Sequence, residues 1–439
     1  MWTLSKYLVA SRPLPSDSPE AARRILFSTR TCTTLLVAES LYERLLAGRL
    51  GEIAPAQITA LSAAKIIVDR EEDELGTILA ENAKAIAETE QLYECIQPTA
   101  ACNLACTYCG QNHELRTLSE RNQDLLIARI AARLATGRYK RLKTAWFGGE
   151  PLSAMKVIRR MAPLLAETAR QHGCGYTSAV VTNGIALTRE LARELQHEHG
   201  VEELEITLDG PARTHDARRV TKRGGPSFER IHANLRAIAA DAELTAKITV
   251  RCNVDSTNHD AVQELIDTLA DEGLQQRIHL YFAPIHDWSN GADRQSLSAA
   301  DYAQQELLWL AYMRERGFAV PLVPQRKHSV CMAVNPSSEL TDPYGALFNC
   351  TEVSLVKRLG TPNSFALGQL GEAPRASENA SRLAGFYGDV GRGEYPCATC
   401  PMFPVCGGGC PKQWTEGTAA CPSAKLNLPD RLPLLLANA

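Results

Sequence analysis

Cys102-Asn103-Leu104-Ala105-Cys106-Thr107-Tyr108-Cys109 and, further along, Gly148-Gly149-Glu150-Pro151 are the stretches on which the fold is decided. Each follows a short β-prone run, Tyr93–Ile96 and Thr144–Phe147. Four more such runs come after them: Ser178–Val181, Leu204–Thr207, Ile248–Arg251 and Ile278–Phe282. Between the runs lie patterns of helical period, at Leu125–Leu134, Val157–Ala169 and Phe228–Ile238, and Asp301–Arg316 follows behind a Ser298 cap. Strand and helix in alternation predict an α/β fold, a parallel sheet of six βα units curled into a partial barrel. Thr182-Asn183-Gly184, Asp209-Gly210-Pro211 and Asn253-Val254-Asp255 end the third, fourth and fifth strands. All five special segments therefore fall on the C-terminal rim, where such folds build their sites.

Three segments are expected: 1–90, 91–318 and 319–439. In the first, Ile25-Leu26-Phe27 and Leu35-Leu36-Val37 read as strands, Ser40–Leu46 and Pro55–Ala64 as helices, and Lys65-Ile66-Ile67-Val68 as a final strand. This suggests a small winged-helix-like module, with a plain extension packed on the barrel as the alternative. The last segment is rich in Pro, Gly and Cys and holds few apolar residues. It is expected to be irregular and organised by bound metal.

A formal charge of −3 over 439 residues gives no reason to expect nucleic acid or an anionic membrane as partner. No apolar run reaches the roughly 18 residues of a spanning helix. Met1-Trp2-Thr3-Leu4-Ser5-Lys6 lacks the marks of a signal peptide, so a cytoplasmic protein is expected. Fourteen cysteines in a reducing compartment point to metal ligands rather than disulfides. Their bunching supports this, since three lie within Cys102–Cys109 and five within Cys397–Cys421.

Cys102, Cys106 and Cys109 form C-x3-C-x2-C, which can wrap one loop around a metal, either an iron–sulfur cluster or zinc. With Tyr108 before the third cysteine and Gly148-Gly149-Glu150-Pro151 at the next strand end, the chain resembles the radical S-adenosylmethionine (SAM) superfamily. The resemblance implies a [4Fe–4S] cluster on the three thiolates, with SAM on the open iron. Gly148 and Gly149 would let backbone approach SAM, Glu150 would accept from its ammonium, and Asn183, Asp209 and Arg219 would make further contacts. The implied chemistry is reductive cleavage of SAM to a 5′-deoxyadenosyl radical that abstracts a substrate hydrogen.

Cys331 and Cys350 precede Cys397-x2-Cys400-x5-Cys406-x3-Cys410 and Cys421, with Gly345 five residues before Cys350. This pattern resembles the SPASM domain. The resemblance implies two auxiliary [4Fe–4S] clusters, three clusters in all: Cys331, Cys350 and Cys410 for the first auxiliary cluster, Cys397, Cys400, Cys406 and Cys421 for the second. Some members place a further cysteine between the first two; Met332–Asn349 contains none. The first auxiliary cluster is thus left with an open iron or a non-cysteine ligand. Zinc at both sites is the alternative reading.

SPASM enzymes act mostly on ribosomally made peptides or proteins. The expectation is a maturase that installs a side-chain crosslink, carbon–carbon or ether, in a precursor peptide. Thioether formation is the main competitor. The sulfatase-maturing subgroup carries Asp directly after the cysteine matching Cys350, whereas this chain has Thr351 and then Glu352, a candidate base near the first auxiliary cluster. A winged-helix-like N-terminal module would hold the leader peptide as an added edge strand. An external donor such as flavodoxin or ferredoxin would supply electrons. The non-enzymatic alternative is an electron carrier or a metal-stapled binding protein. Cys95, Cys174 and Cys252 are expected to be buried apolar residues, and Cys32 has no assigned role.

Overall fold

The computed structural model describes residues 1–18, 21–287, 295–373 and 375–436. The N-terminal part comprises β1 (Trp2–Leu4), β2 (Leu8–Ala10), β3 (Arg23–Ser28), β4 (Thr33–Ala38), α1 (Glu39–Leu46), α2 (Pro55–Ala63), β5 (Ile67–Asp69) and α3 (Glu74–Ala87). β2, β3 and β4 form an antiparallel sheet in that order, and β5 returns to pair with β1. Sequence reasoning expected two strands before the helices. The additional strands β1 and β2 are three residues each, too short to display alternation. Successive residues of a strand face opposite sides, and β3 buries both. Leu26 packs with Val37, Leu41, Leu61 and Ile67, while Ile25 and Phe27 pack on Met402, Val405, Leu428 and Leu432. The small sheet is therefore clamped between its own helices and the cysteine-rich segment.

The central part holds β6 (Gln91–Ile96), β7 (Leu104–Cys106), β8 (Arg141–Trp146), β9 (Gly175–Thr182), β10 (Val201–Thr207), β11 (Arg219–Thr221), β12 (Lys247–Val254) and β13 (Ile278–Pro284). Its helices are α4 (Glu120–Leu134), α5 (Met155–Gln171), α6 (Arg189–His199), α7 (Ala212–Arg218), α8 (Phe228–Ala239), α9 (Val262–Asp271) and α10 (Ala299–Glu315). Ser119, Thr188 and Ser298 cap α4, α6 and α10 through their side-chain oxygens. β6, β8, β9, β10, β12 and β13 pair in parallel in chain order, as the six βα units require. Leu204, Ile206, Val250, Cys252, Leu280 and Phe282 join the helices in the main core. By alternation Glu205, Arg251 and Tyr281 turn to the opposite, concave side.

The sheet continues past β6. β14 (Ser338–Thr341) pairs with it in parallel, and β15 (Ala346–Phe348) and β16 (Gly368–Gln369) add antiparallel, giving nine strands. Register sets Glu339 beside the fully buried Glu94. The like charges are tolerated because two arginines one turn apart on α4 take them up. Arg129 is bidentate to Glu339 at 2.7 and 2.8 Å, and Arg133 reaches Glu94 at 2.6 Å. The C-terminal segment is thus less irregular than expected and borrows its cores. Leu340, Phe348, Val353 and Phe365 pack with Cys95 and Ala145, and Phe386, Val390 and Phe403 pack with Tyr7 and Ile78. Among the described residues no helix is long and apolar enough to cross a membrane.

Candidate active site

The loop after β6 carries the first three cysteines and is pinned by backbone. β7 pairs antiparallel with β11, Cys106 opposite Arg219. Thr107 N–H donates to Arg218 O and Lys222 N–H to Asn103 O, each at 3.0 Å. Inside this ladder Tyr108 is half-buried and its hydroxyl is the hub of the rim. It donates to Asp209 Oδ2 at 2.5 Å and accepts from Arg219 at 2.5 Å and Asn253 Nδ2 at 3.0 Å. The Arg218 guanidinium lies over the ring, 5.2 Å from its centroid. Cys102, Cys106 and Cys109 are close enough to repel one another as thiolates. Burial pushes all three thiols up, Cys106 to about 11, while Arg219 pulls down. Asn183 Nδ2 donates to Asn103 Oδ1 at 2.6 Å and lies 3.9 Å from Cys102 Sγ.

The ends of β8 and β9 press on this loop. A Cβ on Gly149 would stand 2.4 Å from Ala101 O, so only glycine lets the strands close as they do. Gly148 sits at φ +111°, a conformation that also favours glycine. Glu150 is fully buried. Its Oε1 accepts from Leu152 N–H at 3.0 Å and Thr182 Oγ1 at 2.7 Å, and its Oε2 from Asn183 N–H at 2.7 Å. Burial nonetheless lifts its carboxyl above the usual range. Sequence reasoning gave Glu150 an outward task, accepting from an ammonium. In the structure both oxygens are engaged in tying the β8 end to the β9 end.

Several residues of the rim were not assigned from sequence. Asn253 holds both Tyr108 and Asp209, donating to Asp209 Oδ1 through its backbone N–H (3.0 Å) and Nδ2 (3.2 Å). Arg218 bonds Asp255 at 2.6 Å. His215 Nδ1 accepts from Asp209 N–H at 3.2 Å, and its Nε2 meets Ser227 Oγ at 3.0 Å. The sequence signals for these were the strand end Asn253-Val254-Asp255 and the clustering His215-Asp216-Ala217-Arg218-Arg219, neither of which says which member points inward. Arg218 Nε and Arg219 Nε are buried without a hydrogen-bond partner. Two orphan donors beside three thiols suit a ligand rich in acceptors, such as the ribose and carboxylate of SAM.

The C-terminal cysteines fall into two sets. Cys397, Cys400, Cys406 and Cys421 line one gap and interact with one another. Gly408 N–H donates to Cys406 Sγ at 3.2 Å and Lys425 Nζ to Cys421 Sγ at 3.3 Å. Thr29 Oγ1 of the N-terminal module donates to Pro401 O at 2.6 Å, inside this set's loop. Cys331, Cys350 and Cys410 interact with one another and line a second cavity of roughly 500 Å³, with Thr351 and Glu352 on its wall. Among the described residues no three His, Cys, Asp or Glu side chains are grouped for a single ion, and each cysteine set surrounds a wider gap. Cys95, Cys174 and Cys252 are buried. Cys32, at φ +57°, packs against the cluster of Met402 and Val405.

Residues 96–250 match the radical SAM superfamily. The chain is 24% identical over 332 residues to the serine-type anaerobic sulfatase-maturating enzyme of Klebsiella aerogenes, covering 71% of this chain and 77% of that protein. A GTP 3′,8-cyclase of Mycobacterium sp. (strain KMS) is 32% identical over 210 residues, and the chain spans 55% of its length. Among solved structures, native anSMEcpe with bound AdoMet and Cp18Cys peptide superposes with a TM-score of 0.59 at 17% identity, over 80% of this chain and all (100%) of that one. Streptococcus suis SuiB bound to precursor peptide SuiA superposes at 0.50 and 13%, over 96% of this chain and 99% of that one. At these identities the structural likeness speaks for the fold. Together with the cysteine loop, the Gly148-Gly149-Glu150 edge and the six parallel strands in chain order, the match establishes that this chain carries a radical SAM domain.

Proposed function

We propose that the chain is a radical SAM maturase that installs an intramolecular carbon–carbon or ether crosslink between side chains of a ribosomally made peptide, in the cytoplasm. A [4Fe–4S] cluster on Cys102, Cys106 and Cys109, with SAM, supplies a hydrogen-abstracting radical at the rim. The chain's own residues position it. Tyr108, held by Asp209, Arg219 and Asn253, fixes the cysteine loop. Asn183, Arg218 and Arg219 offer donors to SAM, and Glu150 keeps the strand ends at the distance this needs. Cys397, Cys400, Cys406 and Cys421 would hold a second cluster and Cys331, Cys350 and Cys410 a third, with flavodoxin or ferredoxin as electron source.

The observation that carries a peptide substrate is the N-terminal sheet. β4 lies at its edge, with Leu36 46% exposed beside Ile25, on the face that packs on the cysteine-rich segment. An open edge strand can take a leader peptide as a further strand. The sheet's packing against Met402 and Val405 would then hold the rest of the peptide near the barrel mouth. SuiB, crystallised with its precursor peptide, shares the fold over nearly the whole chain, which supports this reading. Thr351 in place of Asp weighs against sulfatase-type oxidation. The three-thiol set favours thioether formation as the second reading, since an open iron there could bind a substrate thiol.

The test is anaerobic reconstitution followed by reductant-dependent turnover with synthetic peptides encoded by neighbouring short reading frames. Formation of 5′-deoxyadenosine together with a peptide that has lost two hydrogens, mapped to side chains by tandem mass spectrometry, is the expected result. A product joined through sulfur would select the thioether reading. No SAM cleavage under any reductant would leave a metal-stapled carrier and sink the proposal.

A further inference from the structure

The two auxiliary cysteine sets differ in number, four against three. The second cavity therefore lacks one thiolate of the four that a cubane ordinarily uses. Its wall is made by parts of 324–332, by Cys350, Thr351 and Glu352, and by parts of 402–424. Among the residues that line it, Glu352 is the one carboxylate. Cys406 also touches the cavity, but it is engaged with the four-thiol set and accepts Gly408 N–H. Lys327 is a cation, and the hydroxyl of Thr351, a neutral donor, is spent on Glu352 Oε1 at 3.2 Å. The local chain brings Glu352 to the right side. Its backbone N–H donates to Cys350, two residues earlier, and its carboxylate acts electrostatically on both Cys350 and Cys410.

Resting on the reading that Cys331, Cys350 and Cys410 hold a [4Fe–4S] cluster, we infer that Glu352 is the fourth protein ligand of that cluster. An anionic oxygen closes the site without the strength of a thiolate bond, since carboxylates are the harder donors and iron–sulfur centres prefer soft ones. Glu352 is also within electrostatic reach of Arg251 on the concave side of β12 and His286 beyond β13. The ligand thus faces the barrel mouth, where a substrate group arriving from the rim can displace it. This gives Glu352 a coordinating role in place of the base suggested by sequence.

The test uses the full-length protein, reconstituted and saturated with SAM so that the first cluster is occupied, with ¹³C-cyanide as the probe of an open iron. Wild type is expected to carry about twelve irons and, because cyanide must first displace the carboxylate, to develop a ¹³C coupling at an auxiliary cluster by electron–nuclear double resonance only at excess cyanide. Glu352→Ala should keep its iron and show that coupling at about tenfold lower cyanide, and Glu352→Cys should show none. Equal cyanide dependence in wild type and Glu352→Ala, or no coupling in either, overturns the assignment. An iron content near eight that Cys331→Ala does not lower would instead defeat the underlying reading that these cysteines hold a cluster.

Discussion

Replacing Gly149 by alanine isolates the contact that brings the β8 end against the cysteine loop. Its φ lies outside the left-handed region, so space alone decides the outcome. The new Cβ would stand 2.4 Å from Ala101 O, 2.8 Å from Ala100 O and 2.9 Å from Ala101 C. All three are backbone atoms, so no rotamer change relieves the clash. The loop must retreat by about 1 Å to reach ordinary contact, and the 2.8 Å hydrogen bond from Glu150 N–H to Ala101 O is lost. Overpacking costs about 1–3 kcal/mol and the lost bond about 1 kcal/mol. The less flexible unfolded chain offsets about 0.4–1 kcal/mol. The net destabilisation is about 1–4 kcal/mol, concentrated on the segment that carries Cys102. Anaerobic thermal unfolding should show a midpoint several degrees lower, and calorimetry should show weakened SAM binding. Gly51→Ala is the control, because nothing lies within 4 Å of its added Cβ. A Gly149→Ala protein that melts with wild type and binds SAM equally well would refute the close-approach argument.

The barrel could be read from sequence because its strands bury one face under helices and its helices repeat apolar residues at their own period, as in Val157–Ala169. Rim placement followed from the same alternation. What escaped was set by contacts between distant segments. The β7–β11 ladder pairs two three-residue strands, below the length at which a pattern exists. Glu339 reads as a surface residue until Arg129, far away in sequence, is seen to take its carboxylate inside the sheet. Glu150 was legible as a special residue but not as a brace, since its donors come from Leu152, Thr182 and Asn183. Cysteine spacing could not sort the auxiliary thiols, whose grouping came from resemblance. The C-terminal strands escaped because β14, Ser338–Thr341, is buried at every position yet mostly polar in sequence, so it offers no apolar alternation.

Tyr108→Phe removes the hydroxyl that bridges Asp209, Arg219 and Asn253, so Arg219 and Asp209 lose the hydrogen bonds that join them through it. SAM affinity should fall by roughly 10- to 100-fold, about 1–3 kcal/mol, by calorimetry with cluster content unchanged; equal affinity would show that the hub does not order the site. Leu36→Glu on exposed β4 should leave the melting temperature within about 1 °C of wild type. It should weaken leader-peptide binding by about tenfold in fluorescence anisotropy, unless the leader docks elsewhere. His215 gives a pH dependence whose sign can be worked out. Burial and the Arg219 charge push it down to about 4, against an ordinary value near 6.5. In the folded chain its Nδ1 must stay unprotonated to accept Asp209 N–H. Between those values the unfolded chain binds more protons than the folded one, so stability falls as pH drops from about 6.5 towards 4. The full difference is about 3 kcal/mol, of which about 2 is lost by pH 5. His215→Gln keeps an acceptor for Asp209 N–H and cannot titrate. The excess loss of unfolding free energy in wild type between pH 7 and 5, measured in urea against His215→Gln, reports this one group. Identical slopes would mean that the Asp209 turn accommodates an imidazolium, and that the hydrogen bond from Asp209 N–H does not hold the rim.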